Sequence, residues 1–97
     1  MSKQLVINAF RAVEMRVLSP LRNDIYSPEG RTARALVCAQ CAHELERGTQ
    51  AGFSRMWGHM LRGQYSDQAC DVMDEVFDEV GVNTIDELNL LMQAVSA

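Results

Sequence analysis

The apolar residues of this chain fall at helical intervals from one end to the other. Val6, Phe10, Val13 and Val17 form one stripe, separated by the three and four residues that bring side chains onto a single helix face. That spacing predicts a first helix over residues 3–18, ended by Pro20, because the residue before a proline is driven out of helical geometry. Leu5, Ile7, Ala9 and Ala12 flank the stripe, so this helix is expected to be buried around more than half its girth. In the segment SPEG, Ser27 is placed to cap a second helix and Pro28 to occupy its first position. That helix runs to Arg47 and stops at Gly48, a residue type common just past a helix end.

Phe53, Met56, Trp57, Met60 and Leu61 repeat the helical interval and predict a third helix over residues 51–63. Gly52, Gly58 and Gly63 weaken it, an interior glycine costing roughly 1 kcal/mol relative to alanine. Ser66 is read as the cap of a fourth helix with Ala69, Val72, Met73, Val76, Phe77 and Val80 on its apolar face and Gly81 as its stop. Thr84 and Glu87 have the spacing of a capping box, opening a last helix with Ile85, Leu88, Leu91, Met92 and Val95 as core residues. Five helices, no strand and short connections predict a small all-α bundle. At 97 residues the chain is long enough for a single helical domain, 1–97, and too short for two ordinary ones.

Composition narrows the class. A content of 47% hydrophobic and 23% charged residues is that of a globular chain rather than a disordered one. No apolar run reaches the roughly 18 residues of a membrane span, and the start, MSKQLVINAF, lacks the features of a secretory leader. An odd cysteine count of 3 disfavours a disulfide framework and favours a reducing, cytoplasmic setting.

The stretch CAQCAHE, residues 38–44, looks at first like part of a zinc site. Cys38, Cys41 and Cys70 with His43 and His59 supply enough donors on paper, and tetrahedral zinc needs four. The setting argues otherwise. Cys38 and Cys41 lie inside an unbroken helical pattern among Ala33, Ala35, Ala39 and Ala42, where a free cysteine packs as a small apolar residue. A redox pair wants its first cysteine at a helix N-terminus, and Cys38 lies about ten residues inside. The expectation is core packing, with no metal and no cofactor. A zinc-stabilised helical module remains an alternative.

Catalysis finds no constellation either. His43 and Glu44 are sequence neighbours and point about 100° apart on a helix, and no HExxH, ExxH or phosphate loop occurs, so the chain is expected not to be an enzyme. The segment EVGVNTIDEL resembles a DNA-reading helical turn in outline, but the following helix contains Asp86 and Glu87 and no basic residue, which phosphates would repel. Basic and aromatic residues interleave in GFSRMWGHMLRGQY. Arg55, Arg62, Phe53, Trp57 and Tyr65 suggest a stacking platform for single strands, yet the spacing of the apolar members is that of a core stripe. No direct contact with nucleic acid or membrane is expected.

The charge pattern is the exception to this plainness. Up to Arg62 nine basic residues face five acidic ones, a balance of +4, and from Gly63 onward there are eight acidic residues and no basic one, a balance of −8, giving −4 for the chain. Asp67–Asp71, Asp71–Glu75, Asp74–Asp78 and Glu75–Glu79 are like-charge pairs one helical turn apart, each unfavourable by roughly 0.2–0.5 kcal/mol. Asp78 and Glu79 also stand at the helix C-terminus, where the dipole disfavours anions by about 0.3–1 kcal/mol. An unfavourable arrangement of this kind points either to a solvated face, kept for solubility or neutralised by arginines of the same fold or of a second copy, or to recognition of a basic surface on another macromolecule.

The functional expectation is therefore a small helical regulator or inhibitor that docks Asp71, Asp74, Glu75, Asp78 and Glu79 on a basic surface of a partner protein. The partner is in that case a candidate nucleic-acid-binding protein. The alternative is an antiactivator whose apolar helices cover a partner's dimerisation surface, with Trp57 and Met60 as anchors. A homo-oligomer fits either reading. In size and composition the chain is similar to small regulators and phage-encoded inhibitors, an analogy that names no family.

Overall fold

Five α-helices follow one another: α1 (Ser2–Leu18), α2 (Pro28–Arg47), α3 (Gln50–Arg62), α4 (Ser66–Val80) and α5 (Ile85–Gln93). The computed structural model describes residues 2–19 and 26–93, so the expected stop at Pro20 and the core role of Val95 lie outside the described residues. The predicted all-α class holds, with no strand among them.

Local chemistry sets the helix ends. Ser27 Oγ accepts the Gly30 N–H at 3.1 Å, and Pro28 fills the first turn of α2 as expected. Arg31 of α2 donates to the carbonyls of Val17 and Leu18 at 3.3 and 3.0 Å, placing a cation on the C-terminal carbonyls of α1. Gly48 ends α2 with φ −110, so its role is not left-handed geometry. A Cβ there, or at Gly52, would run into the Glu44 carboxylate tucked into the α2–α3 corner. Thr49 is an N-cap that periodicity did not reveal, its Oγ1 accepting from Gly52 N–H at 2.9 Å.

Ser66 proves to be the first residue of α4 rather than its cap. The N-cap is Tyr65, with no side-chain bond to the helix. At the other end Gly81 adopts φ 80, and the N–H groups of Gly81 and Val82 both return to the Phe77 carbonyl. This left-handed stop favours glycine for want of a Cβ clash. Thr84 Oγ1 accepts from Glu87 N–H at 3.1 Å, while the Glu87 carboxylate accepts from Asn83 N–H at 2.8 Å. The capping box thus reaches one residue further back than the usual pattern.

Helix α1 is the hub. It packs against α2, α4 and α5, while α3 bridges α2 and α4. Val6, Phe10, Val13 and Val17 are all buried, with Val37, Cys38, Cys41, Ala42 and Leu45 of α2 in the same cluster. Each large apolar side chain so buried contributes about 1.5–3 kcal/mol. Phe10 and Phe53 meet edge-on with centroids 6.0 Å apart, tying α3 to the hub. Leu5 and Leu61, expected on apolar faces, are exposed. Leu61 lies on the edge of the α3 stripe, one turn beyond Trp57.

Candidate functional site

Apolar and charged positions separate around α4. Ala69, Val72, Met73 and Val76 enter the core. On the opposite face Asp67, Asp71, Asp74 and Asp78 follow one another at intervals of four, three and four residues, and all four are exposed. At about 1.5 Å per residue this line of carboxylates is roughly 16 Å long. Glu75 and Glu79 occupy the flank between the line and the core.

Arginines from distant helices close that flank. Arg16 of α1 lies 3.7 Å from Glu75 and 2.7 Å from Glu79. Arg34 of α2 donates Nη2 to Asp71 Oδ2 and Nη1 to the Gly30 carbonyl at 3.2 Å. Its guanidinium carbon stands 4.2 Å from the centre of the Tyr26 ring, a cation–π arrangement that holds the side chain at 14% exposure. The repulsion along α4 is thereby offset at Asp71, Glu75 and Glu79. Asp67, Asp74 and Asp78 form no ion pair among the described residues.

Of the residues expected to bind a partner, Asp71, Asp74, Asp78 and Glu79 are exposed. Glu75 is not on the open face: its side chain is 23% exposed and sits beside Arg16. Trp57 is a core residue at 9% exposure, and Met60 packs half-buried against the same cluster, so neither stands out as a surface anchor. Trp57 follows Phe53 by four residues and turns inward with it. Asp67, missed by sequence reasoning, belongs to the line by the seven-residue interval to Asp74. Arg16 and Arg34 carried no local signal of their pairing.

The cysteine pair is buried. Cys38 and Cys41 are fully enclosed and Cys70 is exposed. Burial pushes the Cys38 thiol up to about 12, helped by the negative charges of Glu14 and Glu75, and burial raises Cys41 as well. A ligating or attacking sulfur must be a thiolate, the form that burial disfavours at both positions. Among the described residues no three His, Cys, Asp or Glu side chains converge as a metal site, so Cys70 and the histidines do not join this pair. His43 is exposed and lines a hollow of about 490 Å³ with Arg11, Gln40, Glu44 and Met56. No helix among the described residues is long and apolar enough to cross a membrane.

Comparison with protein-family models, with curated proteins and with solved structures finds no match to this chain.

Proposed function

We propose that the chain is a non-enzymatic protein-binding module, a small regulator or inhibitor whose docking surface is the open aspartate line of α4. Asp67, Asp74 and Asp78 are its open carboxylates, with Asp71, held by Arg34, between the first two and Glu79 on the flank. The partner is a protein with a basic surface, of the kind that also binds nucleic acid, and competition for that surface is the mechanism. The observation that supports this is the division of one helix: arginines of the same fold tie down one flank, and the three aspartates beside it have no counter-charge among the described residues. Charges left open in this way steer an oppositely charged partner and are weakened by salt.

The test is affinity capture from an extract of the native host with the wild-type chain and with Asp67→Lys/Asp74→Lys/Asp78→Lys, the helicity of both confirmed by circular dichroism. A basic protein retained by the wild type should be released at high ionic strength and not retained by the variant. Equal retention by the folded variant would leave the aspartates a role in solubility alone.

A further inference from the structure

Helices α3 and α4 adjoin each other across residues 63–65 and carry opposite charge. Helix α3, QAGFSRMWGHMLR, has two arginines and a histidine with no carboxylate, and α4, SDQACDVMDEVFDEV, has six carboxylates with no basic residue. Arg55, His59 and Arg62 are all exposed, and among the described residues none of them meets a carboxylate. The two helices pack against one another, yet their charged faces do not meet within one chain. The complementarity is unsatisfied inside the molecule.

The two faces also match in spacing. Between Arg55 and Arg62 lies Gly58, and the Arg62 guanidinium folds back over it, Nη1 standing 3.7 Å from where a Cβ would be. Ala51 and Ser54 are exposed near the start of the same helix, so the side chains that project furthest from this side are the two arginines. Arg55 and Arg62 are seven residues apart, about 10 Å along the axis at about 1.5 Å per residue. Asp67 and Asp74 are separated by the same seven residues and form no ion pair among the described residues. Helices of 13 and 15 residues present edges of similar length, roughly 20 Å.

We infer that the occupant of this basic face is a second copy of the chain, α3 of one copy lying on the aspartate line of α4 of another with Arg55 and Arg62 opposite Asp67 and Asp74. The inference rests on the reading of that line as a docking surface and gives the surface a second use, since self-association and partner binding then compete for the same aspartates. One helix laid on another buries less than the ~1,200 Å² of a standard stable interface, so the contact is weak and charge-led.

Sedimentation of the wild type should show a mass of at least twice 10.9 kDa at about 10 mM salt, falling to that of the single chain at about 1 M, where the screening length drops from ~30 to ~3 Å. Arg55→Glu/Arg62→Glu and Asp67→Arg/Asp74→Arg should each remain single at low salt with unchanged helicity. An equimolar mixture of those two variants should associate, because each then offers faces complementary to the other. A wild type that stays single at about 10 mM salt would overturn the inference, as would an assembly unaffected by Arg55→Glu/Arg62→Glu. Either failure leaves the docking reading standing, since the arginine variant keeps its aspartate line intact and should still capture a basic partner protein. Failure of the docking reading shows instead as capture indifferent to the aspartate substitutions.

Discussion

The inner face of α2 and the outer line of α4 each concentrate one kind of side chain, and their surroundings put them to opposite uses. On α2 the small residues Ala33, Cys38, Cys41 and Ala42 are closed off from solvent, and the thiols contribute volume rather than reactivity. On α4 the aspartates stand in water, and what distinguishes one from the next is whether an arginine of another helix reaches it. Cost and consequence differ accordingly. A change on the α2 face is felt by the whole fold, because interiors are close-packed. A change on the α4 line is felt mainly by whatever approaches from outside, because exposed charges contribute little to folding.

Thiol accessibility gives the largest contrast. Cys70 should react rapidly with a thiol reagent in the native protein. Cys38 and Cys41 should react only through unfolding, slower by a factor on the order of 10³ or more. Rapid labelling of all three would mean that the α2 face is open. The next effect is at Trp57: Trp57→Ala should lower stability by about 3–5 kcal/mol in denaturant titration, and a loss under about 1 kcal/mol would return this residue to the surface.

Cys38→Ser or Cys41→Ser should cost about 1–3 kcal/mol each by burying a hydroxyl in an apolar site, with no dependence on added zinc. Linkage supplies a related signature. The Cys38 pKa is raised in the folded state from its ordinary 9.0 to about 12, so the folded chain holds the proton more tightly than the unfolded one. Its contribution is complete below about pH 9 and is lost as pH rises towards 12. Stability measured across that window should therefore fall less steeply for Cys38→Ala than for the wild type.

On α4 the expected effects are smaller and differ in sign. Asp71→Asn removes the carboxylate that Arg34 holds and should destabilise by about 1 kcal/mol. Asp67→Asn/Asp74→Asn/Asp78→Asn should be neutral or stabilising by roughly 0.2–0.5 kcal/mol for each like-charge pair relieved. Equal losses in the two variants would erase the distinction between paired and open aspartates.

Much of the fold was legible because its signals are local. Ser27 with Pro28, Gly81, and Thr84 with Glu87 are each read within four residues of the helix end they define, and the stripe from Val6 to Val17 needs only periodicity. Thr49 escaped notice because a cap between two helices has little flanking pattern, and Ser66 misled because its residue type suits a cap that Tyr65 occupies instead. The division of α4 was beyond local reading. Arg16 and Glu79 are 63 residues apart and Arg34 and Asp71 are 37 apart, so which carboxylates are neutralised depends on how three helices pack. Helical spacing alone placed Asp71, Asp74 and Asp78 on the outside, and it could equally have included Asp67. Trp57 had the pattern of the core from the start.

The central position of α1 has a consequence for the order of events on the ribosome. Of the five helices α1 is made before the others, and it is the one against which α2, α4 and α5 all pack. α1 ends at Leu18 and α5 begins at Ile85, so at about 5–20 residues per second its apolar side waits for several seconds, with only α2 able to cover it early. During that interval the nascent chain offers Val6, Phe10, Val13 and Val17 to any chaperone or neighbouring chain within reach.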